Sequence, residues 1–298
     1  MSSTPAMQPS ATASRERSIY RDIAVVTTDM PGDASALTAA AALARRYGAE
    51  LEILQVLAMP LPAVDAWALI PDPACTSRYA DLRAQAARRS AEFQRRLPSL
   101  GVEGRVRTFE AFYESVAGMA ATAARRADLG VIGRPLASSD AAAIHDRFAA
   151  LLLESGRPVL LVPGDREPPK LPPRHALVAW SDTREAARAV HDALPLLETA
   201  ESVEILMVDP TANFLEDAAN FGTTLCAHLE RHGVAVHVVN EKSRGRYISG
   251  VILDRASRAK AQLIVAGGYG HTRLREWVIG GTTRDLFFDS PVPILFSH

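Results

Sequence analysis

The sequence predicts an α/β protein of two tandem doubly wound domains, each with a five-stranded parallel sheet and four helices. Short apolar runs alternate with longer segments of helical period, which is typical of buried parallel strands connected by helices. Four sequence patterns occur twice in the same order, which indicates two copies of one unit. A proline-rich segment between the copies suits an extended linker.

The repeated patterns are apolar strands with similar flanking residues. Residues 22–29 resemble 175–182, 52–54 resemble 204–206, 127–133 resemble 261–267, and 157–162 resemble 292–297. Between the two sets, residues 166–173 contain four prolines, which cannot continue a helix. We therefore expect a mobile tail rich in Ser, Thr, Ala and Pro at 1–19, a first domain at 20–165, a linker at 166–173 and a second domain at 174–298.

Within each copy, near-continuous apolar runs predict strands, and the intervening segments of helical period predict helices. The expected order in the first copy is strand 22–28, helix 34–47, strand 50–57, helix 77–96, strand 103–108, helix 113–126, strand 128–133, helix 143–155 and strand 158–162. The second copy repeats it with strand 175–180, helix 184–197, strand 202–208, helix 212–232, strand 234–239, helix 246–259, strand 262–266, helix 282–289 and strand 293–296.

Composition and charge argue against several classes of function. With 33 basic and 34 acidic residues and a net charge of −1, the chain has no overall charge that would favour nucleic acid or an anionic membrane. It contains no run of about 18 apolar residues, so no membrane span is predicted. Residues 1–19 lack the apolar core of a signal peptide. Because Cys75 and Cys226 provide no disulfide framework, a reducing compartment, the cytoplasm, is expected.

Glycines follow the apolar run 263–266, where the fourth strand of the second copy should end. The spacing is Gly267, two residues, Gly270, nine residues and Gly280, and then Gly281, Thr282 and Thr283 where the next helix should begin. Glycine amides and a helix N-terminus attract phosphate, because their unpaired N–H groups and the helix dipole face the ligand. The alternative is that the glycines form tight turns and a threonine caps the helix. The spacing matches neither a Walker A loop nor a dinucleotide-binding fingerprint.

This pattern resembles the nucleotide-binding motif of the universal stress protein family, in which Gly, two residues, Gly, nine residues and Gly precede Ser or Thr. The closing strand at 292–295 is similar as well, and the resemblance covers about residues 20–298 as a tandem pair. It implies an adenine-nucleotide α-hydrolase-like fold, a role in stress response, and ATP with Mg²⁺ as a regulatory ligand. It also implies that the two domains associate through their last strands, that two chains pair as a homodimer, and that catalysis is at most slow ATP hydrolysis.

Carried over by position, the resemblance assigns the phosphates and ribose of ATP to Gly267, Gly270, Gly280, Gly281, Thr282 and Thr283. It assigns a ribose or adenine contact to Asp182, and a contact with the base to the backbone around Met207 and Val208. Two positions depart from the family pattern. Gly281 stands where the family has a hydroxyl, so Thr282 or Thr283 would have to supply one. Asp182 is displaced by one residue, which can turn a side chain to the other face of a strand.

The first copy lacks this motif. After the strand at 128–133 come Arg134 and Pro135, and no glycine follows until Gly156. A cradle of glycine amides cannot form there, because proline has no N–H and the other positions carry side chains. We therefore expect one nucleotide-binding copy and one scaffold copy. The first copy could still bind an anion through the side chains of Arg134, Ser138 and Ser139.

No catalytic or metal-binding constellation is expected. On a helix, Cys226 points away from His228 and His232, so the three do not converge on one zinc ion. No nucleophile has a base at a suitable spacing. Two alternatives remain open: a ligand-free scaffold of the same fold, and an adenylating enzyme of the wider fold. The enzyme would need a Ser-Gly-Gly-x-Asp-Ser loop, where residues 181–184 read Ser-Asp-Thr-Arg.

Overall fold

The computed structural model describes most of the chain. The described residues are 20–30, 32–61, 73–134, 141–164, 169–210, 215–270 and 281–298. The expected tail at 1–19 and part of the expected linker lie outside them.

Strands and helices alternate throughout both halves of the chain. The first half contains β1 (Asp22–Val26), α1 (Gly32–Tyr47), β2 (Glu50–Ala58), α2 (Pro73–Ser99), β3 (Gly104–Ala111), α3 (Val116–Ala124), β4 (Leu129–Gly133), α4 (Ala141–Glu154) and β5 (Val159–Val162). The second half contains β6 (His175–Ala179), α5 (Arg184–Leu197), β7 (Ser202–Val208), α6 (Leu215–Arg231), β8 (Val236–Glu241), α7 (Ile248–Arg258), β9 (Leu263–Gly267), α8 (Gly281–Asp289) and β10 (Ile294–Ser297).

Every predicted element is present among these, with ends that differ by a few residues. Helix α5 has the predicted bounds, because Thr183 caps it by accepting the Ala186 N–H at 3.3 Å. Helix α3 begins at Val116 rather than at residue 113, because Ser115 is its N-cap and accepts the Gly118 N–H at 2.9 Å. Side-chain caps therefore decide these helix starts more sharply than hydrophobic period does.

The described strands form one ten-stranded sheet in the order β3-β2-β1-β4-β5-β10-β9-β6-β7-β8. Neighbours within each half run parallel, and the second half repeats the strand order of the first in reverse across the sheet. The halves meet where β5 and β10 pair antiparallel, with Leu160 opposite Leu295. The predicted doubly wound tandem fold is confirmed, and the last strands of the two copies pair as expected.

Helices cover both faces of the sheet and enclose two apolar cores. One core lies under α1, α2, α5 and α6, and includes Leu37, Leu97, Leu194 and Leu229. The other lies under α3, α4, α7 and α8, and includes Phe148. Both cores contain residues from both halves, so the apolar interior is continuous across the β5–β10 junction.

The junction itself is packed on both faces by aromatic residues. On the α4 and α8 face, the ring of Phe148 lies 5.1 Å from that of Phe287 and 5.3 Å from that of Phe296, measured between centroids. On the other face, the Tyr47 hydroxyl of the first copy donates to the Pro195 carbonyl of the second at 2.7 Å. Side chains of one copy therefore complete the core of the other.

Replacing Phe148 by alanine tests how much the packing between the two copies contributes to the stability of the protein. The ring is fully buried between the halves, so we expect Phe148→Ala to lower the free energy of unfolding by about 3–5 kcal/mol. Urea unfolding followed by circular dichroism measures this value. Tyr113→Ala, at a side chain that is 87% exposed, is the control and should change it by less than about 0.5 kcal/mol. Equal effects of the two changes would contradict the packing described above.

Candidate functional site

The candidate residues of the second copy gather at one edge of the sheet. Strand β6 lies between β9 and β7, and it is the point at which the strand order of this half reverses. In open parallel sheets, ligands bind beyond the carboxyl ends of the strands at such a point. Gly267 ends β9, Asp182 follows the end of β6, and Val208 ends β7. The fold therefore brings three separate parts of the sequence to one crevice.

Gly267 makes a close contact with the first turn of α5. A Cβ at this position would lie 2.6 Å from the Ala186 nitrogen and 2.8 Å from the Glu185 carbonyl carbon. Both atoms belong to the backbone, and moving the backbone aside in a close-packed interior would cost free energy. Glycine is thus required here for packing between helix and strand, whatever its amide contacts.

The amides of the loop that follows Gly267 differ in their availability. The Gly268 N–H donates to the Ser297 carbonyl at 2.9 Å, and the Tyr269 N–H donates to Thr283 Oγ1 at 3.2 Å. Neither amide is open to a ligand in this arrangement. The Gly270 N–H has no acceptor among the described residues, so of the three described loop residues, 268–270, it is the one whose amide a phosphate oxygen can use.

The N-terminus of α8 supplies further open amides. Gly281 is its first residue and is exposed, and a Cβ placed there would meet no atom within 4 Å. The first turn of a helix has N–H groups without intrahelical partners, and they carry partial positive charge. Gly280, assigned to the site from the sequence, lies outside the described residues.

The two threonines of α8 have different environments. Thr283 is 5% exposed, and its hydroxyl already accepts the Tyr269 N–H. Thr282 is partly exposed and has no hydrogen-bond partner among the described residues. Thr282 is therefore the hydroxyl that is free to replace the one absent at Gly281, whereas Thr283 holds the glycine loop against the helix.

The expected contacts with ribose and base lie at the same sheet edge. Asp182 is exposed in the turn between β6 and α5. The Met207 side chain is buried in the core, where its sulfur lies 3.1 Å from the position that a Cβ on Gly222 would take. Val208 is partly exposed. The Met207 side chain is thus part of the core, and a contact of its backbone with the base stays a prediction.

Glu185 is a member of this site that the sequence did not suggest. It occupies the first turn of α5 and is buried, and its Oε2 lies 3.1 Å from where a Cβ on Gly270 would be. Burial alone would raise the pKa of Glu185, but the hydrogen bond from Arg184, the residue's own backbone N–H and the charges of Arg184 and His298 together outweigh it, so the pKa lies below its usual value. A carboxylate charge therefore stands directly beneath the glycine loop.

Backbone segments are in close contact at the corresponding edge of the first copy. A Cβ on Gly133 would lie 2.5 Å from the Gly32 oxygen, and one on Gly164 would lie 2.5 Å from the Arg134 oxygen. The Asp33 carboxylate accepts the N–H groups of Thr28 at 2.9 Å and of Asp29 at 2.9 Å. Among the described residues of this edge, these two amides are thus already occupied by the protein's own carboxylate.

The Arg134 side chain of the first copy reaches the second copy. It is buried, and its Nη1 donates to the carbonyls of Phe288 at 2.7 Å and Ser290 at 2.8 Å, at the end of α8. The sequence did not suggest this contact, and an anion contact of Arg134 stays a prediction. Ser138 and Ser139 lie outside the described residues.

The described part of the chain contains neither a candidate metal site nor a helix that could cross a membrane. No three His, Cys, Asp or Glu side chains there are grouped to hold a metal ion. His228 and His232 lie on one face with ring centroids 4.8 Å apart, while the Cys226 sulfur contacts Glu230 and the Val236 carbonyl. No described helix combines the length and apolarity that a membrane crossing needs.

Two glycines at the site should respond differently to substitution. Gly267→Ala forces backbone apart, so we expect it to lower the free energy of unfolding by about 1–3 kcal/mol. Gly281→Ala has open space and reduces the freedom of the unfolded chain, so it should be neutral or stabilising by up to about 1 kcal/mol. Chemical denaturation of both variants measures the difference. Equal stability of the two proteins would contradict the close contact between β9 and α5.

Comparison with known proteins relates this geometry to solved structures. No protein-family model matches the chain, and no curated protein sequence matches it. A universal stress protein from Archaeoglobus fulgidus superimposes with a TM-score of 0.70 at 17% identity, over 93% of this chain and 97% of that one. A functionally unknown protein from Pseudomonas aeruginosa PAO1 gives a TM-score of 0.54 at 17% identity, over 93% and 92%. The chain has the fold of a two-domain universal stress protein.

Proposed function

We propose that this chain is a tandem universal stress protein that binds ATP with Mg²⁺ in its second domain and uses the bound nucleotide as a regulatory signal. The observation that carries the proposal is the contrast between the two copies. In the second copy, the Gly270 amide and the first turn of α8 are open at the sheet edge. In the first copy, the Asp33 carboxylate already accepts the amides of Thr28 and Asp29, and Arg134 stands where the second copy has Gly268.

The phosphates would lie between Gly270 and α8. The Gly270 amide, the amides of the first helical turn and the Thr282 hydroxyl can donate hydrogen bonds to phosphate oxygens, and the helix dipole favours their charge. Asp182 would accept a hydrogen bond from the ribose, and the backbone at Met207 and Val208 would contact the base. Gly267 supports this arrangement through its packing against α5 rather than through an open face.

Glu185 supports the binding of ATP as its Mg²⁺ complex. A buried carboxylate beneath the glycine loop repels a bare polyphosphate, and the repulsion is strong where water is excluded. A divalent cation carried by the nucleotide offsets this charge, since Mg²⁺ is commonly bound by phosphates together with one or two carboxylates. The proposal therefore includes a requirement for Mg²⁺.

A regulatory role fits the side chains near the site better than rapid catalysis does. At this sheet edge the Ser249 hydroxyl donates to Asp285 Oδ2 at 2.8 Å, but Ser249 is buried and not open to a substrate, and the buried Glu185 carboxylate is held by Arg184. Slow hydrolysis of ATP is the most that these groups would support. The proposed domains are residues 20–165 and 174–298, with the nucleotide in the second.

The number of nucleotides per chain tests the contrast between the copies. We expect mass spectrometry of the denatured, purified protein to release ATP or ADP, and titration calorimetry with MgATP to give one site per chain. ATP should bind more weakly when EDTA replaces Mg²⁺, because no divalent cation then offsets the repulsion between Glu185 and the phosphates. A stoichiometry near two would contradict the contrast between the copies.

Two glycine variants test the phosphate contacts. Gly270→Val places a branched side chain beside the open amide and against Glu185, so MgATP affinity should fall by roughly 10- to 100-fold, the value of one charge-assisted hydrogen bond. Gly281→Ser adds a hydroxyl where there is open space, so affinity should rise. Titration calorimetry measures both.

Gly250→Val is the matched control for these variants. Gly250 lies in the first turn of α7, and a Cβ there would also meet no atom within 4 Å. Its affinity for MgATP should equal that of the unaltered protein. If Gly270→Val keeps full affinity while its fold is intact, the assignment of the cradle is refuted.

A ligand-free scaffold is the second candidate function, and Glu185 favours it. A carboxylate beneath Gly270 is unfavourable for a phosphate, and two of the loop amides are already engaged. Under this alternative the purified protein would be empty, and MgATP would not raise its melting temperature. Glu185→Gln separates the two functions, because removal of the charge should strengthen ATP binding without Mg²⁺ only if the site is real.

A further inference from the structure

Helix α8 of the second copy is held at its C-terminus by the first copy. Arg134 lies directly after β4, and its side chain is only 9% exposed. Its Nη1 donates to the Phe288 and Ser290 carbonyls at 2.7 and 2.8 Å. These oxygens belong to the end of a helix, where carbonyls have no intrahelical partner and the dipole is negative. The arginine thus forms a buried cap between the two copies.

The glycine loop is tied to the first copy as well. The Tyr269 hydroxyl lies 3.4 Å from His145 Nε2 on α4, and the His145 ring stacks on Phe288 at 5.8 Å between centroids. Burial lowers the pKa of His145 and raises that of Tyr269 to about 12, so an uncharged ring meets an uncharged hydroxyl. Tyr269 also has a φ of 55°, a strained value for a bulky residue, which surrounding contacts must maintain.

These contacts connect the two ends of α8 through residues of the first copy. Thr283 at its start binds the Tyr269 amide, Tyr269 contacts His145 of the first copy, and His145 stacks on Phe288 near the helix end. Arg134 then fixes the last carbonyls. Side chains of the first copy therefore position both ends of α8, the helix that would bind phosphate.

We propose that Arg134 is a positioning residue for the nucleotide site of the second copy, acting through the C-terminus of α8. This inference rests on the proposed function. The degenerate loop of the first copy then has a role: it carries an arginine where the second copy has Gly268, and this arginine supports the opposite copy's helix.

Arg134 acts by fixing the position of helix α8, because its charge is too far from the N-terminal amides to attract the phosphate directly. Helix α8 has nine residues, so its N-terminal amides lie about 13 Å from the cap. Charges separated by more than about 8–10 Å interact weakly in physiological salt. A helix this short is marginal on its own, and its position depends on tertiary contacts. Loss of the cap lets the helix end move, and the amides at the other end lose the geometry that phosphate binding requires.

The test compares R134Q with R134K and with R157Q. Arg157 is the matched control, because it also belongs to the first copy and its Nε donates at 2.9 Å to the carbonyl of Arg125, the C-cap of α3. Lysine at 134 keeps the cation and three N–H donors on one nitrogen, but it lacks the rigid planar guanidinium. Two quantities are measured on the full chain: amide hydrogen exchange of residues 281–289 without nucleotide, and MgATP affinity by titration calorimetry.

We expect R134Q to speed exchange in α8 and to weaken MgATP binding by about tenfold. R134K should restore part of both quantities, and R157Q should change neither. Unchanged affinity in R134Q despite faster exchange overturns the positioning role, and unchanged exchange overturns the cap itself. Failure of the unaltered protein to bind MgATP overturns the proposed function instead. That outcome is distinguishable because the exchange measurement requires no nucleotide.

Discussion

The antiparallel pairing of β5 with β10 is the interaction on which the rest of this structure depends. Each half ends its sheet with a short strand whose outer N–H and C=O groups would otherwise be unpaired. Pairing joins ten strands and makes the two apolar cores continuous. Because the pairing is antiparallel, the carboxyl edges of the two halves face opposite ways, and α4 and α8 meet on one face of the junction.

The two copies have kept the same packing and diverged in their open surfaces. Gly133 and Gly267 end equivalent strands, and both allow the first helix of their copy to approach the strand at backbone contact distance. The next residue differs: Arg134 crosses to the other copy, whereas Gly268 leaves space that the Leu152 side chain of α4 occupies. Among the described residues, the first copy thus sends a side chain across the junction at this position, and the second copy receives one.

The fold was predictable from local pattern, and most of the candidate site was not. Helix α5 has the predicted bounds, because apolar period and the Thr183 cap agree. The glycines of the second copy were recognisable from their spacing. Glu185 was not, because no sequence rule places a residue of the first turn of α5 beneath a loop more than 80 residues later. Such proximity arises only when β6 and β9 lie side by side.

The sequence by itself determined the duplication, the alternation of strands and helices, and the second copy as the one with a glycine loop. These features follow from composition and period along the chain. Only the tertiary structure decided that Gly267 packs on α5, that Thr283 is engaged and Thr282 free, and that Arg134 caps a helix 154 residues away. Such contacts join residues that are distant in the sequence and come together only when the sheet is complete. The residue types along one segment therefore do not reveal them.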